Sequence, residues 1–200
     1  KPDLATPDAK LLQLIDALCA LPNNDVAIVS GRDQAFLDKW FASLPVTLIA
    51  EHGYFVKRNG ADWTGTGSSN KDWMTDVMPI FETFTDRTPG TFVEEKNNSL
   101  VWHYRKTDPE LASERVVEIK TVLSSLISDK LTILDMDKAL EVVDRQLNKG
   151  SAVFEINSQG AYDFTLCIGD DITDENMFDI LPENSYTIKV GRKPTSAKYY

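Results

Sequence analysis

The sequence predicts an α/β fold, with a doubly wound parallel sheet as its core and an α+β lobe inserted into that core. Short, continuously apolar segments such as Val26–Val29 and Val46–Ala50 alternate with amphipathic helical patterns, which is typical of buried parallel strands. Residues 90–144 instead follow a β-β-α-β-β order with alternating polarity, which is typical of an antiparallel sheet. We therefore expect a core of residues 1–89 and 145–200 and a lobe of residues 90–144.

A βαβ unit is predicted near the start of the chain. Before it, a helix is expected over residues 7–21 with Thr6 as its N-cap, because apolar residues recur there at helical spacing: Leu11, Leu14, Ile15 and Leu18. After the first apolar strand, a second amphipathic helix begins at about Asp33 and ends before Pro45, where the next strand starts. Strand, helix and strand at this spacing form a βαβ unit, whose strands are parallel.

Turn signals and apolar spacing define the remaining elements. Asn59-Gly60 predicts a hairpin turn between residues 54–56 and the strand around Trp63, and Asn97-Asn98 predicts the turn of a hairpin over residues 91–105. The other elements of this middle part are helices over residues 71–86 and 109–127 and strands over residues 131–134 and 139–143. The core then resumes with a helix from Lys149, a strand over residues 164–168, a helix over residues 174–181 and a strand over residues 186–190.

Composition narrows the class of protein. The chain has 200 residues, of which 42% are hydrophobic and 26% are charged, and no apolar run approaches the ~20 residues of a membrane-spanning helix. Its net charge of −10 argues against nucleic acid as a partner, because binding the phosphate backbone requires a basic face. The two cysteines, Cys19 and Cys167, lack the spacing of a metal site or a disulfide scaffold, so we expect a reducing, cytoplasmic setting.

A dense acidic cluster follows one of the predicted core strands. Four carboxylates lie within six residues, in the segment Gly169–Glu175. Like charges at this density repel each other, so a fold keeps them together when a cation is nearby, and hard oxygen ligands at the end of a strand suit Mg²⁺. The alternative is a solvated turn in which Thr173 caps a helix and the last two carboxylates complement its dipole. That alternative leaves Asp170 and Asp171 unexplained, so a metal site is favoured.

Two other segments could hold an anion. The segment Ser30-Gly31-Arg32 follows the first apolar strand and offers a hydroxyl and backbone N–H groups just before a helix. Taken alone, this segment is explained better as an ordinary strand-to-helix turn. Lys149 begins a predicted helix, after the N-cap Asn148, where the helix dipole disfavours a cation. One explanation of this mismatch is that Lys149 binds an anion. A solvated lysine on the protein surface explains the sequence equally well.

In this order, the three segments carry a resemblance. Ser30 after an apolar strand, Lys149 in Asn-Lys-Gly, and Gly-Asp-Asp-x-Thr-Asp-Glu resemble the second, third and fourth motifs of phosphatases of the haloacid-dehalogenase (HAD) superfamily. More narrowly, the chain is similar to the trehalose-6-phosphate phosphatases. The supporting segments are spread over the whole chain: residues 28–32, 50–53, 88–90, 94–96, 102–105, 140–142 and 196–200.

The resemblance implies Mg²⁺-dependent hydrolysis of a sugar phosphate, trehalose 6-phosphate, with a HAD-like core as the catalytic part and the inserted lobe as a cap over the sugar. It assigns Asp170 and Asp171 to Mg²⁺, with Asp174 ordering the surroundings of the metal, and it assigns the phosphoryl oxygens to Ser30 and Lys149. It assigns substrate contacts to five further residues: Arg32, Glu94, Lys96, Arg105 and Glu141.

The predicted hairpin of the lobe offers an independent check on the sugar contacts. Glu94 and Lys96 are two residues apart and share a face of their strand, as do Val101 and His103. A two-residue turn at Asn97-Asn98 would place Glu94 opposite Val101, with the polar side chains on one side. Without the resemblance, such a face would be interpreted as the solvated side of a sheet.

One motif that the resemblance leads us to expect is absent from the sequence. In the HAD superfamily, an apolar strand ends in Asp-x-Asp-Gly-Thr, and its first aspartate attacks phosphorus while its second protonates the leaving oxygen. No such motif precedes Ser30, and Asp135-Met136-Asp137 lies inside the lobe without the Gly-Thr turn, so we reject it. We therefore expect the chain to be the remainder of a longer phosphatase and to be inactive by itself.

Two alternatives to this function remain open. One is another HAD-type sugar phosphatase, and the other is a catalytically degenerate domain that regulates a partner. The resemblance further implies fusion to, or association with, a trehalose-6-phosphate synthase. Neither nucleic acid nor a membrane is expected as a partner.

Overall fold

The structure, a computed structural model, describes residues 6–65, 71–126 and 129–200. It divides into two compact units: Lys1–Gly67 together with Leu147–Tyr200, which we call the core unit, and Ser68–Gln146, which we call the lobe unit. The lobe predicted over residues 90–144 falls inside the lobe unit, which also contains the helix that precedes it.

Helices and strands follow one another along the whole chain. The first half contains α1 (Ala9–Cys19), β1 (Ala27–Val29), α2 (Gln34–Phe41), β2 (Thr47–Ala50), β3 (Phe55–Lys57), β4 (Thr64–Gly65), α3 (Asp72–Asp86), β5 (Phe92–Glu95) and β6 (Ser99–His103). The second half contains α4 (Pro109–Leu126), β7 (Leu131–Met136), β8 (Ala139–Asp144), α5 (Lys149–Gln159), β9 (Leu166–Gly169), α6 (Glu175–Ile180) and β10 (Tyr186–Lys189). Short 3₁₀ turns follow β2 (Glu51–Gly53) and precede α6 (Ile172–Asp174). Residue 127, the predicted last residue of the lobe helix, lies outside the described residues.

Parallel strand pairing characterises the core unit. β1 pairs with β2 in parallel, with Val29 opposite Ile49, and β9 pairs with β10 in parallel. β3 and β4 continue the first sheet in antiparallel fashion, which gives the order β1-β2-β3-β4. The predicted α/β class with parallel strands is therefore confirmed.

Among the edge strands of the core unit that the structure describes are two parallel ones, β1 and β9. Within the described residues, β1 pairs only with β2, and β9 pairs only with β10. Leu166 and Ile168 of β9 are 49% and 55% exposed, although strands of a parallel sheet are usually covered on both faces. Both strands therefore keep backbone groups available for pairing with a further strand, and β9 also keeps apolar side chains available for packing.

Of the four apolar residues whose spacing predicted helix α1, only Ile15 packs against the described core cluster. Three of its residues pack against the core cluster of Leu37, Phe41, Val46, Leu48 and Ala50, namely Leu12, Ile15 and Cys19. Three leucines that were expected to face the core are instead 38–56% exposed: Leu11, Leu14 and Leu18. The predicted N-cap Thr6 was also wrong, because the carboxylate of Asp8 accepts the N–H of Leu11 at 2.8 Å and so begins the helix at Ala9.

The lobe unit is an antiparallel sheet with two helices packed on one face. Its strand order is β5-β6-β8-β7. Apolar side chains of β6 and β8 form one buried cluster with side chains of α3 and α4, including Phe81, Leu100, Trp102, Ile119, Leu123, Leu140 and Val142. On the opposite face, Glu94 lies opposite Val101, as predicted, and Val101 lies opposite Glu141.

The sequence Asp135-Met136-Asp137 lies at the end of a hairpin strand. β7 and β8 pair up to Met136 and Ala139, and Lys138 makes the turn with φ of 63°. This agrees with its rejection as a nucleophile motif, because the strand continues directly into its antiparallel neighbour. Among the helices that the structure describes, none combines the length and the hydropathy of a membrane span.

Candidate active site

Asp174 organises the acidic segment that follows β9. Its side chain is buried, and Oδ2 accepts the backbone N–H groups of Asp170 at 2.8 Å and Asp171 at 2.9 Å. Its Oδ1 accepts a hydrogen bond from Nζ of Lys149 at 2.7 Å. Asp174 therefore points into the protein and holds the loop from within.

Asp171 caps the 3₁₀ turn that precedes α6, and Thr173, the residue considered as the cap of the helix, does not cap α6. Oδ1 of Asp171 accepts the N–H of Ile172 at 2.7 Å. Thr173 lies inside the 3₁₀ turn, and its Oγ1 is buried without a hydrogen-bond partner among the described residues. Since the turn starts directly after Asp171, that carboxylate is the one within reach of the unpaired N–H groups.

Lys149 is a buried cation at the start of a helix. The residue is 7% exposed, and Oδ1 of the N-cap Asn148 accepts the N–H of Ser151 at 3.0 Å. A lysine in this place is disfavoured by the helix dipole and by burial, so it needs a compensating anion. The ion pair with Asp174 supplies that anion and excludes the interpretation of Lys149 as a solvated surface residue.

Asp170 is the carboxylate of this loop whose side chain faces solvent. It is exposed at the end of β9, and none of the described residues donates a hydrogen bond to its side chain. The side chain of the neighbouring Asp171 accepts the N–H of Ile172 at 2.7 Å and also takes part in the capping box with Asp174. The described residues contain no group of three or more acidic, histidine or cysteine side chains arranged to hold a metal ion. Asp170 and Asp171 can therefore supply part of an oxygen shell and not all of it.

The loop of residues 30–32 begins at the end of β1. The N–H of Ser30 donates to the carbonyl of Ile49 at 2.9 Å, and the N–H of Arg32 donates to Oγ of Ser30 at 3.1 Å. The guanidinium of Arg32 lies 3.9 Å from the centre of the Phe36 ring, a cation–π contact. The loop backbone thus orients the Ser30 hydroxyl, and Phe36 holds the Arg32 side chain.

The 3₁₀ turn Glu51–Gly53 packs against this loop, and sequence reasoning gave it no role. Its N–H groups donate to the carbonyls of Arg32 (from Glu51, 2.9 Å) and Ser30 (from His52, 3.1 Å). Glu51 and His52 both have positive φ. Nothing in a sequence marks a non-glycine residue for this conformation, and residues 50–53 were noted only as part of the resemblance.

A second buried lysine connects β10 to the acidic loop. Nζ of Lys189 donates to Oε1 of Glu175 at 2.7 Å and to the carbonyl of Asp171 at 3.1 Å. Glu175 also accepts from Oγ1 of Thr195 at 2.9 Å and from the N–H of Ser196 at 2.8 Å. Burial raises the pKa of Glu175, but the hydrogen bonds from Lys189, Ser196 and Thr195 outweigh it and lower this pKa to about 2. Glu175 is thus a structural carboxylate and does more than complement a helix dipole.

Stability at low pH should therefore depend on Glu175. Its pKa is lowered from 4.5 to about 2, so its contribution is complete above the higher value and is lost as the pH falls through the lower one. A shift of this size corresponds to roughly 3 kcal/mol. We expect Glu175→Gln to lower the urea midpoint of unfolding at neutral pH, and we expect the difference from wild type to shrink as the pH falls. Asp179→Asn, on an exposed part of the same helix, is the control. A Glu175→Gln deficit that is constant across the acid range would contradict this assignment.

Cys167 lies on β9 beside this loop. Burial, followed by the negative charge of Asp174, raises the pKa of its thiol to about 11. The thiol is therefore protonated at neutral pH, which disfavours a nucleophilic role for Cys167.

In the lobe unit, Glu141 is the centre of one polar cluster. The residue is 2% exposed and its Oε1 accepts from Oγ of Ser99 at 2.6 Å and from Nζ of Lys96 at 3.2 Å. Two of the predicted sugar contacts, Glu141 and Lys96, are thus brought together. Ser99 was missed, because a small residue after a turn carries no signal of its own.

The other two predicted contacts in this unit have different partners. Glu94 contacts Nε2 of His103 at 2.7 Å, and the His103 ring stacks on Phe92. Arg105, beyond the end of β6, donates to the carboxylate of Asp137 at 2.8 Å and to its carbonyl at 2.9 Å. The described contacts therefore join Lys96 to Glu141 and leave Glu94 and Arg105 in separate pairs.

Comparison with known proteins defines the family. The sequence profile of the family described as Trehalose-phosphatase matches residues 1–200. The structure is similar to the C-terminal domain of C. albicans trehalose-6-phosphate phosphatase, with a TM-score of 0.86 and 34% sequence identity, covering 98% of this chain and 80% of that one. The α/β fold is thus that of the trehalose-phosphatase class of proteins. The chain belongs to the trehalose-phosphatase family.

Curated relatives of the chain are much longer than it is. It is 42% identical over 199 residues to the bifunctional trehalose-6-phosphate synthase/phosphatase of Thermoproteus tenax, covering 99% of this chain and 27% of that protein. It is 39% identical over 201 residues to the trehalose-phosphatase of Saccharomyces cerevisiae, covering 88% of this chain and 22% of that protein. The chain therefore spans about a quarter of the length of these two relatives.

Proposed function

We propose that the chain is part of a phosphatase that hydrolyses trehalose 6-phosphate to trehalose and inorganic phosphate. The observation that carries this proposal is the buried pair of Lys149 and Asp174, since Asp174 also holds the loop that presents Asp170. A fixed cation beside an exposed carboxylate suits a phosphoryl group together with a metal ion. Membership of the trehalose-phosphatase family supports the choice of substrate.

Ser30 and Lys149 bind the phosphoryl oxygens in this proposal. Asp174 takes one of the three N–H groups of the Lys149 ammonium, so that ammonium can donate to further acceptors. The Ser30 hydroxyl accepts from the N–H of Arg32 and can donate its own hydrogen to an oxygen of the substrate. Phosphoryl transfer depends mainly on such positioning and on neutralising charge, because the protein has little covalent work to do.

Asp170 and Asp171 would hold Mg²⁺, because their oxygens are the hard ligands this ion prefers and Asp170 has no competing donor among the described residues. When bound, the ion neutralises negative charge on the phosphoryl group. Other residues of this chain fix the loop that carries Asp170 and Asp171. Asp174 does this through the N–H groups of both aspartates, and Lys189 does it through the carbonyl of Asp171.

The nucleophile is an aspartate outside these 200 residues, because the sequence contains no Asp-x-Asp-Gly-Thr motif. Its carboxylate oxygen bonds to phosphorus while the bond from phosphorus to the sugar oxygen breaks, and a second aspartate gives a proton to that oxygen. Water then attacks phosphorus, which releases inorganic phosphate and regenerates the carboxylate. The free edges of β1 and β9 support this proposal, because they can accept a further strand.

The sugar is bound by side chains of the lobe unit. Buried Glu141 with Lys96, and Glu94 with His103, present carboxylate acceptors and cationic or imidazole donors that suit hydroxyl groups. Arg105 is the remaining proposed substrate contact of the lobe unit, and Arg32 is the one proposed in the core unit. The Thermoproteus tenax relative, whose name combines synthase and phosphatase, supports fusion to a trehalose-6-phosphate synthase as the setting of the domain.

Phosphate release by the full-length protein tests the function. We expect Mg²⁺-dependent release from trehalose 6-phosphate that is abolished by a chelator, and faster release than from glucose 6-phosphate. Lys96→Met should raise the KM for trehalose 6-phosphate by about tenfold and leave kcat/KM for p-nitrophenyl phosphate unchanged, because that substrate has no sugar.

Two outcomes of the release assay separate the alternative functions. Equal release from unrelated sugar phosphates would favour another sugar phosphatase, and no release from any of them would favour a degenerate regulatory domain. Lys106→Met, on an exposed lysine of the same unit, is the control for Lys96→Met. If both substitutions change KM equally, Lys96 does not bind the sugar.

A further inference from the structure

The turn Glu51–Gly53 has an unusual backbone. Glu51 and His52 have φ values of 47° and 58°, in the left-handed region, and Gly53 has a φ value of 113°. Residues with a Cβ seldom adopt this conformation, and those that do are held there by their surroundings, often at functional sites. Both Glu51 and His52 are buried, at 6% exposure. The contacts around the turn therefore impose its shape.

One side of the turn is fixed to the loop of residues 30–32. Backbone hydrogen bonds join Glu51 to Arg32 and His52 to Ser30. The imidazole of His52 also covers Gly31, because a Cβ placed on Gly31 would lie 2.4 Å from both Cε1 and Nε2 of that ring. Only glycine fits beneath the ring in this arrangement.

The other side of the turn packs against the start of α5. A Cβ placed on Gly53 would lie 2.9 Å from the carbonyl oxygen of Asn148 and 3.1 Å from Cβ of Ala152. Asn148 is the N-cap that precedes Lys149. The turn therefore contacts both segments that carry proposed phosphoryl-binding side chains, the loop with Ser30 and the helix start with Lys149.

We propose that His52 is a positioning residue for phosphate binding. Its ring and backbone fix the loop of Ser30 relative to the start of α5, so that Ser30 and Lys149 can bind oxygens of the same phosphoryl group. This inference rests on the proposed function, because it takes those two residues as the phosphoryl-binding pair. Removing the ring lets the loop shift over Gly31 and weakens phosphate binding.

Calorimetric titration of the full-length protein with inorganic phosphate, in the presence of Mg²⁺, tests the role of His52. We expect His52→Ala to raise the Kd for phosphate at least tenfold. His52→Asn should recover part of the affinity, because asparagine tolerates the left-handed conformation and keeps a planar polar group over Gly31. Asn23→Ala is the matched control, since Asn23 has φ of 58° in an exposed turn of the same unit. It should leave Kd within twofold.

A double-substitution cycle separates positioning from general stability. Gly31→Ala should raise the Kd for phosphate at least tenfold in the wild type and less than twofold in the His52→Ala background, because the missing ring makes room for the new Cβ. A lowered melting temperature with unchanged Kd in His52→Ala would overturn the inference, as would equal effects of Gly31→Ala in both backgrounds. If the wild type binds phosphate and the cycle behaves as expected but no sugar phosphate is hydrolysed, the proposed function fails and the positioning role of His52 stands.

Discussion

Replacing Asp174 by alanine should destabilise the core unit by about 3–5 kcal/mol, the cost of removing one partner from a buried ion pair. The substitution leaves the Lys149 ammonium buried without its anion and removes the acceptor for the N–H groups of Asp170 and Asp171. The measurement is equilibrium unfolding in urea, which reports the free energy of unfolding directly.

Two further variants establish the origin of this effect. Asp179→Ala, on an exposed carboxylate of α6, should change the free energy of unfolding by less than 0.5 kcal/mol, as is usual for surface positions. Asp174→Ala combined with Lys149→Met should be more stable than Asp174→Ala alone, because the unpaired buried charge is gone. A loss below 1 kcal/mol for Asp174→Ala would show that the ion pair does not hold the loop.

The largest effect on activity is expected for Lys149→Met in the full-length protein. The substitution keeps the length and apolar character of the side chain and removes its charge, so we expect kcat for trehalose 6-phosphate to fall by about 10²- to 10³-fold, the usual effect of losing one preorganised donor. The KM should change less, since charge on the phosphoryl oxygens matters most during transfer. Steady-state phosphate release, measured on protein that is folded by circular dichroism, provides both constants.

Lys193→Met provides the comparison for Lys149→Met. Lys193 is exposed in the same unit and should show wild-type kinetics when its charge is removed. A decrease of less than tenfold in kcat for Lys149→Met would place Lys149 in a structural role, as the counter-ion of Asp174 alone.

Local patterns in the sequence predicted most of the elements and one register. The apolar segments give β1, β2 and β9 to within two residues, because strands of a parallel sheet are typically continuous apolar runs, even though Leu166 and Ile168 of β9 are exposed among the described residues. The hairpin turn at Asn97-Asn98 gives the pairing of Glu94 with Val101, because a turn of known length fixes the register. The prediction of Thr6 as the N-cap of α1 was wrong. Thr6 and Asp8 are both good cap residues, and only the position of the Leu11 N–H distinguishes them.

For the acidic segment Gly169–Glu175, local patterns could not predict which residue pairs with the carboxylates or which way each carboxylate points. Its density of charge predicted that a cation must be near, and the sequence also marked Lys149 as misplaced for a helix start. Only the fold shows that Lys149 is the cation that pairs with the acidic segment, because it brings Lys149 to Asp174 across 25 residues of sequence. The same contact turns Asp174 inward and leaves Asp170 exposed, and no local rule distinguishes those two aspartates.

The sequence by itself determined the α/β class, the order of the elements and the three segments that are proposed to form the site, because periodicity and turn residues are local properties of the chain. The tertiary structure alone decided which side chain in each segment faces inward. It also decided that the turn Glu51–Gly53 joins the loop of Ser30 to the start of α5. The physical reason is that hydrogen-bond partners and left-handed backbone conformations are imposed by neighbours distant in sequence, and burial makes leaving those partners unsatisfied costly.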